Sequence, residues 1–402
     1  MKIVLFMDNP MAPTGYGSTC RLTARELTKR GHEVFACAFN GGFQPKGIME
    51  WDGIKIIPNE AITREKNAIY GDIPYLGRIE KEIKPDLYFF HNDSYRYGYL
   101  LPLYEPDFFM KSVFWLPFEG TSPDLLGIAL FKKFSAVRFV TQSALAMHDE
   151  SLQGIDRGQI YHAIDLDNLT PCPDKAQAKR QHVAPRLTKL GNDSDPAKTF
   201  VVVRLDRHQP RKYWDRTLKA FAQFAKGKND VFLLAKCDPK DITMPNMDLE
   251  VMAKELEIQN KVAFDNFFFN CKSLCESFYQ PADCFLTTTS AEGFGLAVAE
   301  AMACGVPVIC PDTPVLPEIT GGHAALCPIK DHYFYEPLKV THNLVNIEYT
   351  ASMLERTYQD WKDGGKNNNA VASQARWLAR DRYSPKVVYD QWDQVIRKIK
   401  GG

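Results

Sequence analysis

The sequence predicts an α/β protein made of two doubly wound, Rossmann-like domains that face a cleft. Short apolar runs such as KIVLF (residues 2–6) and FVVV (residues 200–203) alternate with amphipathic stretches, which is typical of a parallel sheet flanked by helices. Two glycine turns each follow an apolar run and precede a helical stretch. A chain of 402 residues, 45% of them apolar, is too long for one ordinary core and fits two domains of about 150 to 200 residues.

We expect the first domain over residues 1–170, with HEVFACAF, DLYFF, SVFWL and AVRFVT as further strands. Residues 171–198 contain prolines, charges and a turn cluster, which predicts a linker or an elaborated beginning of the second domain. The second domain is expected over residues 199–384. Apolar residues at helical spacing near the C terminus predict a helix over residues 385–402 that packs back on the first domain.

Composition excludes several classes of protein. The 49 basic and 49 acidic residues cancel, so bulk charge does not indicate a nucleic acid or an anionic membrane as partner, although a nucleic-acid acceptor stays open. The sequence has neither a transmembrane segment nor the apolar core of a signal peptide, and we expect a cytoplasmic protein. Its ten cysteines are scattered, as reduced thiols are, and they predict no metal site.

The first candidate for ligand binding is the loop after KIVLF. Helix N-termini beyond the carboxyl ends of strands present free N–H groups to anions. Gly15 and Gly17 would let the backbone approach a donor molecule closely. Their spacing is similar to the beginning of the dinucleotide fingerprint, but Cys20 occupies its third glycine position. A tight turn without a ligand is an equal alternative.

The second candidate is the stretch SAEGFGLAVAEAMACGVPVI, which runs from Ser290 to Ile309. It predicts a glycine turn followed by a helix, with Glu292 on the loop and Glu300 inside the helix. A phosphate alone would not favour two carboxylates. The vicinal hydroxyls of a sugar or a ribose would, because each carboxylate can accept hydrogen bonds from them.

Positive charge follows FVVV in the segment RLDRHQPRK, which contains Arg204, Arg207, Arg211 and Lys212. A solvated basic turn is the ordinary interpretation of such a segment. Its position at a strand's carboxyl end, in the same domain as the two glutamates, favours a site that neutralises a diphosphate leaving group.

Residues Glu292 to Val308 resemble the E-x7-E signature of the retaining glycosyltransferases of family 4, which have the two-domain GT-B architecture. Residues 257–264 (EIQNKVAF) and 279–286 (YQPADCFL) are similar to the segments that precede this signature. Arg207 and Lys212 keep the spacing of the family's donor-phosphate arginine and lysine. The resemblance extends over about the first 320 residues and is densest around the signature.

This resemblance implies a metal-independent enzyme whose donor is a nucleotide-diphosphate sugar, with UDP or GDP as the nucleotide and no further cofactor. Glu300 would hold the ribose hydroxyls, and Glu292 would hold hydroxyls of the donor sugar. Arg207 and Lys212 would bind the diphosphate and stabilise it as it leaves. The backbone N–H groups that would face the sugar and the diphosphate belong to Gly293, Phe294, Gly295 and Leu296.

Several positions depart from the family pattern. Arg204 competes with Arg207 for the phosphate, and we prefer Arg207 because of its spacing to Lys212. Tyr213 replaces a glycine. Where relatives have a pocket histidine after the strand SVFWL, this chain has PFEG, which makes Glu119 a candidate for a catalytic, acceptor-facing role. His91, at the end of DLYFF, is a second acceptor-side candidate, with a structural histidine as the alternative.

We therefore expect sugar transfer to a hydroxyl acceptor that the sequence does not identify: a polysaccharide precursor, a small metabolite or a hydroxylated nucleic-acid base. Two other classes of protein remain as alternatives. One is a catalytically silent nucleotide-sugar-binding protein. The other is a dinucleotide-dependent oxidoreductase, indicated by Gly15 and Gly17 alone.

Overall fold

The computed structural model describes residues 1–41, 43–267, 270–335 and 340–401. The chain divides into two compact units. The first is formed by Met1–Ala163 with Tyr383–Gly402, and the second by Ile164–Arg382. Each unit has its own largely parallel sheet with helices, so the predicted class of two Rossmann-like α/β domains is confirmed.

The first unit is built around an eight-stranded sheet. Its strands are β1 (Lys2–Phe6), β2 (Glu33–Cys37), β3 (Met49–Trp51), β4 (Ile54–Ile57), β5 (Leu87–His91), β6 (Ser112–Leu116), β7 (Ala136–Phe139) and β8 (Arg157–Gln159). Their order is β3-β4-β2-β1-β5-β6-β7-β8, with β3 antiparallel to β4 and the other neighbours parallel. Strands β5 and β6 are buried along their whole length, because helices cover both faces of a parallel sheet.

The described α-helices that lie between these strands along the chain are α1 (Gly15–Lys29), α2 (Ala61–Arg64), α3 (Ile73–Glu82), α4 (Pro106–Met110), α5 (Leu125–Phe131) and α6 (Gln142–His148). Their core is rich in aromatic side chains. The Phe90 ring lies 4.6 Å from the Phe6 ring and 6.2 Å from the Phe114 ring, centroid to centroid. These contacts join the three central strands β1, β5 and β6 beneath the helices.

The second unit is built around six parallel strands: β9 (Phe200–Leu205), β10 (Val231–Lys236), β11 (Val262–Asp265), β12 (Cys284–Leu286), β13 (Val308–Pro311) and β14 (Ala325–Cys327). Their order is β11-β10-β9-β12-β13-β14. The strand order reverses between β9 and β12, so the loops that follow these two strands meet at a topological switch point. Doubly wound sheets bind their ligands at such points.

The helices of the second unit are α7 (Lys175–His182), α8 (Ala184–Lys189), α9 (Trp214–Ala225), α10 (Leu249–Glu255), α11 (Cys271–Leu274), α12 (Leu296–Ala303), α13 (Leu316–Thr320), α14 (Ile347–Lys362) and α15 (Lys366–Tyr383). Segment 171–198 contains α7 and α8 and lies within this unit.

An antiparallel hairpin that the sequence analysis did not predict follows β14. It consists of β15 (Ile329–Tyr335) and β16 (Val340–Val345). The register pairs Tyr333 with His342 and Phe334 with Thr341. Because successive side chains of a strand point to opposite faces, the two pairs lie on different faces of the hairpin.

The C-terminal helix α16 (Pro385–Gly401) belongs to the first unit; Gly402, the last residue of the predicted helix, lies outside the described residues. The Tyr389 hydroxyl lies 2.7 Å from the Thr23 hydroxyl of α1. The Trp392 ring packs 4.4 Å from the Phe89 ring of β5. Buried aromatic side chains thus hold α16 against the sheet and α1.

A buried ion pair fixes α7 to the second sheet. Lys179 Nζ lies 2.6 Å from an Asp283 carboxylate oxygen, and the side chains are 2% and 3% exposed. Lys179 also donates to the Thr199 carbonyl at 2.8 Å, and the Val201 amide donates to Asp283 at 2.8 Å. Burial lowers the pKa of Lys179, and the charge of Asp283 opposes that effect. Removing one member of such a pair leaves the other charge buried.

We expect Lys179→Met to lower the free energy of unfolding by about 3–5 kcal/mol, because Asp283 loses the cation that contacts it. Lys175→Met is the matched control. Lys175 lies 3.8 Å from the same carboxylate and is 38% exposed, so its loss should cost less than about 1 kcal/mol. Urea denaturation monitored by circular dichroism measures both effects, and equal losses of stability in the two variants would contradict this role for Lys179.

Candidate active site

Two loops of the second unit meet beyond the carboxyl ends of β9 and β12. The first loop covers residues 206–213 and the second covers residues 287–295. Ser290 joins them, because its amide and its hydroxyl both donate to the Arg211 carbonyl, at 2.8 and 2.9 Å. The Thr288 hydroxyl adds a bond of 2.9 Å to the Tyr213 carbonyl. The switch point of the second sheet therefore carries one hydrogen-bonded platform.

Five charged side chains form a cluster at this platform: Arg204, Asp206, Arg211, Lys212 and Glu292. Lys212 Nζ lies 2.8 Å from Asp206 and also donates to Glu292. Arg211 Nη1 lies 3.2 Å from the other oxygen of Glu292, and Arg204 Nε lies 3.1 Å from Asp206. Three cations and two carboxylates leave one net positive charge.

The two carboxylates of the cluster are ionised. Burial alone would raise the pKa of Glu292, but the charges of Lys212 and Arg211 hold it below its usual value. Burial acts on Asp206 in the same way, and Lys212 with Arg204 lowers its pKa. Both groups therefore act at neutral pH as hydrogen-bond acceptors held by cations.

Arg204 contacts the cluster from the interior of the protein. Its side chain is 0% exposed, and the guanidinium lies 4.2 Å from the centroid of the Trp214 ring. It donates to Thr288 at 2.9 Å, to Thr217 and to the Lys212 carbonyl. The donors of Arg204 are therefore engaged inside the protein.

Arg207 contacts a different partner from Lys212. Its guanidinium makes two hydrogen bonds, of 2.7 and 3.2 Å, to Asp241 in the segment after β10, and its side chain is 53% exposed. Burial acts to raise the pKa of Asp241, but the bonds from Arg207 and Thr243 lower it to about 2. The two cations that the sequence predicts as phosphate ligands are thus each paired with a carboxylate.

The glycine turn and α12 place the remaining predicted residues. Gly295 is the residue before α12 and has φ +90° and ψ +54°, a left-handed conformation that favours glycine. Gly293 and Phe294 are buried in the same turn, and Leu296 begins the helix. The backbone N–H groups at the beginning of α12 therefore lie at the end of this loop.

Glu300 lies inside α12, where the Tyr279 hydroxyl donates a hydrogen bond of 2.7 Å to it. Burial raises the pKa of Glu300 to about 7. The carboxyl group is consequently half protonated near neutral pH, in contrast to Glu292. The two glutamates of the signature thus differ in environment: one is held by cations and the other by a phenol.

Sequence reasoning missed three residues of this site. Arg211 stood in the predicted basic segment but received no role, and Asp206 and Tyr279 were not considered as site residues. Their partners lie about 80 residues away for Arg211 and 21 for Tyr279 along the chain. No local periodicity signals such contacts, although the position of Arg211 beside Lys212 was a usable hint.

In the first unit, Gly15 and Gly17 lie at the beginning of α1, as predicted. The Thr14 side chain caps this helix by accepting from the Gly17 amide at 3.0 Å. A Cβ atom at position 17 would lie 2.4 Å from the Ala12 carbonyl oxygen. Close packing of the loop is therefore sufficient to explain Gly17.

The acceptor-side candidates lie at the same edge of the first sheet. His91 ends β5 and is fully buried, with Nδ1 at 2.7 Å from the Trp115 carbonyl oxygen. Burial lowers the pKa of His91 to about 4, so the ring is neutral at physiological pH. Glu119 is half-buried in the loop after β6, the neighbour of β5. These positions do not assign chemistry to either residue.

Among the described residues, no group of three or more histidine, cysteine, aspartate or glutamate side chains is placed to hold a metal ion. In the same parts of the chain, no helix combines the length and the apolar character needed to cross a membrane.

One family model matches part of the chain. Residues 188–332 match the family model described as glycosyl transferases group 1. The alpha-monoglucosyldiacylglycerol synthase of Streptococcus pneumoniae is 30% identical over 143 residues, which cover 36% of this chain and 30% of that protein. The match thus spans less than a third of the length of this curated relative.

Solved structures resemble the whole chain. Sucrose-phosphate synthase from Thermosynechococcus elongatus has a TM-score of 0.75 at 17% identity, covering 100% of this chain and 99% of the other. HepE from Anabaena, solved in complex with UDP and glucose, has a TM-score of 0.69 at 16% identity, covering 99% of this chain and 100% of the other. The chain has the GT-B fold of these structures, and residues 188–332 match the model of the group 1 glycosyl transferases.

Proposed function

We propose that this protein is a retaining glycosyltransferase of family 4, which moves a sugar from a nucleotide-diphosphate sugar to a hydroxyl acceptor. The observation that carries the proposal is the cluster of Arg211, Lys212 and Glu292 at the switch point. Glu300 lies in α12, the helix that follows the loop of Glu292. The site combines net positive charge for a diphosphate with carboxylates for sugar hydroxyls. The named relatives and the UDP complex of HepE are consistent with such a donor.

The diphosphate is the group that the cations would bind. Lys212 is buried and Arg211 is 21% exposed, so Arg211 is the more accessible of the two cations. Arg207, which is more exposed, would leave or share Asp241 to reach a phosphate. Together with the N–H groups of residues 293–296 these cations would stabilise the charge that grows as the nucleotide departs.

The two glutamates would divide the rest of the donor between them. Glu300 would accept hydrogen bonds from the ribose hydroxyls, with the Tyr279 hydroxyl fixing its carboxyl group. Glu292, held by Lys212 and Arg211, would accept from hydroxyls of the transferred sugar. UDP is the nucleotide that we test first, because HepE was solved with it, and GDP is the second.

Retention would follow without a protein nucleophile. The bond between the anomeric carbon and the phosphate oxygen breaks, and the acceptor oxygen bonds to the same face of that carbon. The acceptor proton passes to the departing phosphate oxygen, so atoms and charges balance. We place the acceptor, of unidentified class, in the first unit near His91 and Glu119. No metal ion is needed in this scheme.

We predict that Arg207→Ala and Lys212→Ala each lower turnover about a hundredfold, the usual loss of one preorganised electrostatic donor. Lys219→Ala is the control, since Lys219 lies on α9, is 44% exposed and pairs with Asp215; its turnover should stay unchanged. Release of nucleoside diphosphate from UDP- and GDP-sugars measures the rates, with circular dichroism confirming that each variant is folded. Normal turnover in both variants would remove these residues from the mechanism.

Replacing Glu300 should lower nucleotide affinity, whereas replacing Glu292 should lower turnover. Glu300→Ala should weaken binding of free nucleotide about ten- to a hundredfold, because it loses a charged hydrogen bond to a part of the donor that does not react. Glu292→Ala should leave that affinity unchanged and lower turnover, because it orients the reacting sugar.

Calorimetric titration of UDP and of GDP, at pH 8 so that Glu300 is ionised, separates the two glutamates. The opposite pattern would reverse their roles. Unchanged affinity and turnover in both variants would show that the pair is structural and that the proposed donor site is wrong.

A further inference from the structure

We infer that the hairpin β15–β16 positions the donor site, and that His342 and Asn343 are its positioning residues. The inference rests on the proposed function for the identity of the site. The hairpin lies in the same unit as both loops, and it contacts each of them through its second strand.

Asn343 connects the hairpin to the second loop. Its amide donates a hydrogen bond of 3.2 Å to the Ser290 carbonyl. Ser290, which is fully buried, donates in turn to the Arg211 carbonyl through its amide and its hydroxyl. Ser290 also lies two residues before Glu292. Hydrogen bonds therefore run from β16 through Ser290 to Arg211, which in turn pairs with Glu292.

His342 connects the hairpin to the first loop. Its ring packs against the Tyr213 ring with centroids 5.8 Å apart and planes at 83°, and its Nδ1 lies 3.4 Å from the Tyr213 hydroxyl. His342 is 1% exposed. Burial, and then the charge of Arg211, lowers its pKa to about 4, so the imidazole fills this position without adding charge to the cluster.

Tyr213 has a backbone conformation that needs support. Its φ of +44° and ψ of +55° lie in the left-handed region, which is uncommon for a bulky residue and unfavourable without surrounding contacts. The residue directly follows Lys212, and its carbonyl accepts the bond from Thr288. A contact that fixes the Tyr213 ring therefore also fixes the backbone from which the Lys212 side chain extends.

The two faces of the hairpin differ in burial, so substitutions on them can be compared. His342 is buried against Tyr213, whereas Phe334 is 55% exposed and pairs with Thr341. If the hairpin only extended the fold, substitutions on either of its faces would change the hydrogen exchange of the loops equally. A positioning hairpin should transmit a change at His342 and not one at Phe334, whereas the Asn343 contact is made by a backbone amide that a side-chain substitution keeps.

Hydrogen exchange measured by mass spectrometry tests the inference without assuming any activity. We expect His342→Ala to increase exchange at least tenfold in residues 206–213 and 287–292, with β10 as protected as before. Tyr213→Gly, which keeps the left-handed backbone at no steric cost but lacks the ring, should loosen the same segments. His342→Asn, which keeps a polar atom near Nδ1, should restore most of the protection, and Phe334→Ala should change nothing.

Activity gives the second readout. Turnover of His342→Ala should fall about tenfold to a hundredfold, as expected when a remote change misplaces catalytic groups. Unchanged exchange in His342→Ala and Tyr213→Gly, or equal loosening in Phe334→Ala, would overturn the inference. If exchange increases in His342→Ala but the wild-type protein cleaves no donor, the positioning role would be supported and the proposed function would be rejected.

Discussion

The donor site depends on the contact between Lys212 and Glu292. This ion pair joins the loop after β9 to the loop after β12, and each partner is about 10% exposed. Both charges are buried, and a buried ion needs partners of opposite charge. Asp206, Arg204 and Arg211 complete the set, so the cluster holds its geometry before any ligand arrives. Such preorganisation is what an electrostatic site needs, since it avoids rearrangement during the reaction.

The main features of the fold could be predicted from the sequence because they are local. Continuous apolar runs such as KIVLF identify buried parallel strands, and the glycine turn before α12 identifies a strand-to-helix loop. The hairpin β15–β16 could not be predicted in this way. Its residues 331–335 (DHYFY) mix polar and aromatic side chains, and the strand is stabilised by contacts with distant loops. Helices α7 and α8 were similarly obscured by the charges and prolines around them.

The candidate site was predictable in its residue types and less so in its pairings. Glu292, Glu300 and Lys212 lie at the switch point of the second sheet, where the motif placed them. Spacing could not predict that Arg204 is buried and that Arg207 is half exposed beside Asp241, because tertiary packing determines burial. The hydrogen bond from the Tyr279 hydroxyl to Glu300 could not be predicted either, because no local sequence pattern marks a tertiary hydrogen bond. The strained Tyr213 shows the same limit, because its neighbour His342 lies 129 residues away along the chain.

Proton NMR of donor cleavage tests the central claim most directly. The protein is incubated with UDP- and GDP-sugars of α configuration, and the anomeric signal of the released sugar is followed before mutarotation. The account predicts that at least one donor releases its nucleoside diphosphate together with the α-anomer as the first sugar product. Cleavage that yields the β-anomer first would contradict retention, and the absence of cleavage with every donor in the presence of bound nucleotide would contradict the assignment as a glycosyltransferase.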